Sequence, residues 1–138
     1  MKKYVAIAPI LLLAISTWAQ TDPVKVVFDV TSGDAATHAA TLRHVKFMAE
    51  TYADAEFEVV VYGGALPMVL QEHSSVAGDI LEFEGHERVS FVVCEGTMKR
   101  YETEKSQLIP GVSTVPDGIL EIVIKQGEGW GYIKEAHK

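Results

Sequence analysis

The chain has 138 residues, 48% of them apolar, with 12 basic against 19 acidic side chains and a formal charge of −7. That length suits one domain, and the acidic balance argues against a nucleic-acid surface, which needs clustered positive charge. A single cysteine excludes an internal disulfide, a Cys-x-x-Cys redox pair and any multi-cysteine metal site.

The start reads as an export signal. Lys2 and Lys3 precede an apolar run from Tyr4 to Ile15, and small residues at Thr17 and Ala19 frame a cut before Gln20. The run is shorter than the ~20 residues of a spanning helix. The expectation is a signal peptide over 1–19, one domain over 20–138, a periplasmic location and no membrane span.

From Val24 onward, apolar runs alternate with helical patterns. Val24 to Val30 is β-branched and nearly continuous, as a strand buried on both faces should be. Thr31-Ser32-Gly33-Asp34 is turn chemistry, with Ser32 or Asp34 able to cap the next helix. There, His38, Leu42, Val45, Ala49 and Tyr52 recur on one face. Phe57 to Tyr62 is a second strand, ended by Gly63-Gly64, and Ala65 to Gln71 reads as a short helix with Pro67 in its first turn. Val76 to Glu84 reads as another, capped by Gly85.

Val89 to Cys94 is the third strand, followed by a helix over Glu95–Lys105 with Met98 and Tyr101 inward. Gly111 to Val115 is short and β-leaning, before a turn at Pro116-Asp117-Gly118. Ile119 to Gln126 fits a strand or a buried helix by pattern alone. Asp117 as a cap and Gly127 as a stop favour the helix. Trp130 to Lys134 closes the chain as a strand. The alternation predicts an α/β fold, a parallel sheet covered on both faces.

Parallel sheets bind ligands beyond the carboxyl ends of their strands. Three turns meet that edge, which makes Ser32, Gly33, Gly63, Gly64, Glu95, Gly96 and Thr97 candidate ligand-binding residues around Cys94. Cys94 ends a strand and begins a helix, where the helix field favours a thiolate; Glu95 opposes that shift. The competing reading is a small buried hydrophobe, within a non-enzymatic ligand-binding or structural oligomeric module. An oxidising compartment weighs against an idle accessible thiol. Thr31-Ser32-Gly33-Asp34 lacks a phosphate-loop pattern and reads as a cap. His38, His44, His73, His86 and His137 lack zinc-site spacing, so neither a metal nor a cofactor is expected. His38 is expected to pack on its helix's inner face.

Cys94-Glu95-Gly96-Thr97-Met98 after an apolar strand resembles the Cys-x-Asn-Thr-Leu/Met segment of the DsrE/DsrF-like proteins, with Gly96 in place of Asn. Val115-Pro116-Asp117-Gly118, Glu121-Ile122, Gln126 and Gly129-Trp130-Gly131-Tyr132-Ile133 resemble that family's closing segment. The likeness spans Val24 to Lys134. It implies a three-layer α/β/α sandwich with a five-stranded parallel sheet, a homo-oligomer (trimer or hexamer), and a helix over Ile119–Gln126. It also implies that Cys94 carries sulfur as a persulfide, exchanging it with a donor or acceptor protein or a small sulfur compound. One thiol suffices for such a carrier.

Overall fold

The computed structural model describes residues 22–136; the expected signal peptide lies outside them, as does His137. The elements run β1 (Lys25–Val30), α1 (Ala35–Thr51), β2 (Glu56–Val61), a 3-10 segment (Gly63–Val69), α2 (Ala77–Leu81) and β3 (Val89–Cys94). Then come α3 (Glu95–Arg100), a 3-10 turn (Lys105–Gln107), β4 (Ser113–Val115), α4 (Gly118–Gly127) and β5 (Gly131–Glu135). The five strands form one sheet in the order β4-β3-β2-β1-β5, and every pairing is parallel. The predicted fold class is the observed one. None of the described helices is long and apolar enough to cross a membrane.

Strand order decides which face each helix covers. The steps β1→β2→β3→β4 all run one way across the sheet, and parallel crossovers are nearly always right-handed. They leave α1, α2 and α3 on one face. There Leu42, Val45, Ile80 and Met98 pack on Phe28, Phe57, Val59, Phe91 and Val93. The return from β4 to β5 crosses to the opposite edge and places α4 on the other face, where Ile122 meets Val27, Val60 and Val92. Side chains alternate along each strand, so Asp29, Glu58 and Ser90 share the α4 face with Cys94 and Val92.

Local chemistry accounts for most boundaries. Asp34 caps α1 by accepting from the Ala36 amide at 3.2 Å. Asp117 caps α4 by accepting from the Ile119 and Leu120 amides at 2.8 and 3.1 Å, which settles Ile119 to Gln126 as helix. His38 is buried, as expected, and donates from Nε2 to the Ser32 carbonyl at 2.7 Å.

Four expectations need correction. Tyr52 is 54% exposed, because α1 ends before it and Tyr52 is only its C-cap. Tyr101 is likewise 52% exposed, since α3 stops at Arg100 instead of reaching Lys105. The reversal comes at Glu102, whose φ of 51° is left-handed, and the Thr103 amide turns back to the Met98 carbonyl at 2.9 Å. The stretch predicted as a helix over Ala65–Gln71 is a 3-10 segment with Pro67 inside it, held by Ile109 N–H to the Val69 carbonyl at 2.9 Å. The helix expected from Val76 to Glu84 is confined to Ala77–Leu81.

Candidate functional site

Cys94 stands where the crossovers diverge. It is the last residue of β3 and pairs with Val115 of β4. After β3 the chain turns to α3 on one face; after β4 it turns to α4 on the other. Neighbouring strands whose helices part in this way open the crevice that parallel α/β sheets use for ligands. The thiol therefore lies between two helix starts.

Hydrogen-bond donors from both starts converge on its sulfur. Burial pushes the Cys94 thiol up, but the Gly118, Thr97 and Gly96 amides and the Thr97 hydroxyl outweigh it, holding the pKa below the ordinary thiol value. The hydroxyl is itself oriented: Thr97 Oγ1 accepts the Gly63 amide at 3.0 Å, leaving its proton for the sulfur. Glu95, expected to oppose the thiolate, turns its carboxylate to Thr114 Oγ1 at 2.7 Å and Lys105 Nζ at 3.2 Å. Those two partners hold its pKa below the usual carboxylate range.

Cys94 is 8% exposed and lines a cleft of about 280 Å³. Tyr62 and Gly63 come from the end of β2, Gly96, Thr97, Arg100 and Tyr101 from α3 and its end, and Pro116, Asp117 and Ile119 from the turn into α4. Tyr62 is held protonated, its pKa pushed up to about 12 by burial and by the nearby Asp29 carboxylate. Asp29 also accepts from Tyr132 Oη at 2.6 Å and Lys134 Nζ at 3.0 Å. A polar chain thus runs from the thiol cleft across the α4 face to the β5 edge.

Of the residues nominated from sequence, Cys94, Gly63, Gly96 and Thr97 meet in this cleft. Gly64 lines an adjoining cleft of about 300 Å³ with His73 and Tyr101. Ser32 and Gly33 belong to the entry into α1: Ser32 Oγ accepts the Asp34 amide at 3.1 Å. Gly33 is needed for close backbone approach, since a β-carbon there would lie 2.8 Å from the Gly64 carbonyl oxygen. Sequence reasoning missed Tyr62 and Gly118, whereas Arg100, one turn on from the thiol in sequence, does line the cleft. The signal available for Gly118 was the turn at Pro116-Asp117-Gly118, a fourth loop at the same sheet edge.

Fold and site together define a parallel α/β domain with one cleft-lining thiol at its switch point. No family profile matches the chain, and no curated protein matches it. Among solved structures it is similar to MTH1491 from Methanobacterium thermoautotrophicum, described as a protein of unknown function. That match has 28% identity and a TM-score of 0.75, and covers 80% of this chain and 98% of that one. It is also similar to the YchN protein from E. coli, with 13% identity, a TM-score of 0.66, and 83% and 99% of the two chains covered. The fold is DsrE/YchN-like.

Proposed function

We propose that this protein is an exported sulfur carrier of the DsrE/DsrF-like kind, with Cys94 as its nucleophile. The observation that carries the reading is the convergence of three backbone amides and one hydroxyl on a single thiol at the mouth of a cleft. Such a cradle stabilises a sulfur anion in either form, thiolate or persulfide. A buried cysteine that only fills space has no use for it.

The chemistry balances with one cysteine. The Cys94 thiolate attacks the outer sulfur of a donor persulfide, R–S–S–H; the donor's S–S bond breaks, a new Sγ–S bond forms, and R–S⁻ leaves. An acceptor thiolate then attacks that outer sulfur, takes it as its own persulfide and returns Cys94 as thiolate. Thr97 and the amides of Gly96 and Gly118 hold negative charge on Sγ both before attack and as it leaves. Arg100 offers a positive charge at the cleft wall for an anionic donor or for the departing thiolate.

Intact mass spectrometry tests the reading directly. After incubation, free of added reductant, with a small-molecule persulfide or with thiosulfate, from which sulfite leaves, the protein should gain one sulfur atom, and Cys94→Ser should gain none. No adduct from any donor, with a native thiol that resists iodoacetamide until denatured, would favour the non-covalent binding module. Export is tested on the protein recovered from a secreting cell: its first residue should be Gln20, and a chain that retains Met1 in the cytoplasm overturns that part.

A further inference from the structure

The end strand β5 lacks a cover on one side. α1 carries the chain from β1 towards β2, away from β5, and α4 packs on the opposite face, so among the described residues no helix is seated over the α1 side of β5. A trough of about 540 Å³ results, with Phe28 and Ile133 as its floor and His44, Phe47, Met48 and Tyr52 as its wall. Met48 and Tyr52 also line a second hollow of about 470 Å³, around the starts of β1 and β2. Phe47 is 64% exposed. The charge at both ends is negative. At one end Glu135 is 5% exposed; His44 Nδ1 donates to one of its carboxylate oxygens at 2.8 Å, and no other described side chain pairs with that carboxylate. At the other end stand Asp22 and Asp54. Lys134 also borders the trough, but its ammonium is held on the other sheet face by Asp29 and Thr31 at 3.0 and 2.6 Å.

We propose that this trough binds a linear aliphatic polyamine, with one ammonium at Glu135, another at Asp22 and Asp54, and the methylene chain between them on Phe47, Met48 and Tyr52. Length, charge and wall chemistry argue for that ligand. Along α1 from His44 to Tyr52 the rise is ~12 Å, at about 1.5 Å per residue. The nine bonds of spermidine extend to about 11 Å, at ~1.2 Å per bond, and the five bonds of putrescine to about 6 Å. Aromatic faces beside a carboxylate suit an alkylammonium, which gains from ring and charge together. An anionic or neutral ligand would cover the Glu135 carboxylate without a counter-charge, which is costly. A metal ion needs several ligands converging on one point, and the described residues hold no such group. The formal charge of −7 draws cations towards the protein. The trough lies at the opposite sheet edge from β4, and the proposal does not rest on the chemistry assigned to Cys94.

Isothermal titration calorimetry tests it on the purified protein at neutral pH. Spermidine at up to about 1 mM should bind one molecule per chain, and putrescine ~10-fold more weakly or worse. Glu135→Gln, which keeps an acceptor for His44, should weaken spermidine by ~10-fold or more, and Asp22→Asn/Asp54→Asn by a similar factor. Glu87→Gln removes a charge from an exposed loop outside the trough and should bind as the unmodified protein does. Absence of binding overturns the proposal. So does equal affinity for putrescine, or a loss in the trough variants no larger than in Glu87→Gln, since either would mean diffuse attraction to an acidic surface. If Glu135→Gln does not fold, Phe47→Lys places a positive charge on the exposed wall and should abolish binding. Undiminished binding in that variant is equally decisive against the site.

Discussion

Gly118 is in contact with Cys94: a β-carbon at position 118 would lie 3.3 Å from the Cys94 Cβ and 3.2 Å from the Tyr62 ring. The missing side chain lets the first amide of α4 reach the sulfur. Gly118→Ala gains a little helix propensity but overpacks this contact, an error that costs about 1–3 kcal/mol. The variant should be less stable, and its thiol pKa should rise as α4 is pushed off the sulfur. Thiolate absorbance followed against pH reads the shift; an unchanged titration would mean that the Gly118 amide does not hold the thiolate.

Thr97 links the end of β2 to the thiol, accepting from Gly63 and donating to sulfur. Thr97→Val keeps the shape and removes both interactions, leaving the Gly63 amide without its acceptor, at about 1–3 kcal/mol. The alkylation rate at neutral pH should fall because less thiolate is present, and Thr97→Ser should restore it. Equal rates in all three proteins would remove the hydroxyl from the site.

The lowered thiol pKa makes a stability prediction with a definite sign. An acid whose folded pKa lies below its unfolded value adds stability that is fully present above the unfolded pKa, ~8.5 for a thiol. That contribution is lost as pH falls through the lower folded value. The stability difference between the native protein and Cys94→Ala should therefore grow from neutral pH towards pH ~9. Urea unfolding of both proteins across that window measures it, and a pH-independent difference would contradict the thiolate.

Much of this was legible because parallel strands and capped helices leave local marks. The β-branched run before Thr31, the Asp34 and Asp117 caps and the position of Cys94 at a strand's end needed nothing beyond neighbouring residues. What failed was periodicity carried past a helix end. Tyr52 and Tyr101 continue an inner-face spacing on paper, but each is a C-cap that has left the helical path. The fourth loop at the thiol was missed because β4 has 3 residues and announces itself weakly as a strand, so Gly118 read as turn chemistry alone. Glu58 was unremarkable beside Val59 and Val60. Its burial follows from α4 arriving over it, and that placement depends on strand order.

That burial gives the last prediction. Glu58 Oε2 receives Lys125 at 3.0 Å and the Ser90 hydroxyl at 3.3 Å, while Oε1 is buried with no hydrogen-bond partner. Burial raises the Glu58 pKa, only partly offset by Lys125, and the Lys125 ammonium also lies 4.4 Å from the Trp130 ring centre. Lys125→Met strands a buried carboxylate and should cost about 3 kcal/mol near neutral pH. Glu58→Leu/Lys125→Met, which removes both charges, should recover most of that loss. The sign with pH follows from the raised pKa. Once pH falls below the folded Glu58 value the carboxyl is protonated and no charge is stranded, so the Lys125→Met penalty should shrink in acid. Denaturant unfolding of the four proteins of this cycle, at neutral and mildly acidic pH, decides it: a double variant no more stable than Lys125→Met would show that α4 is held by the ion pair and not by packing around Ile122.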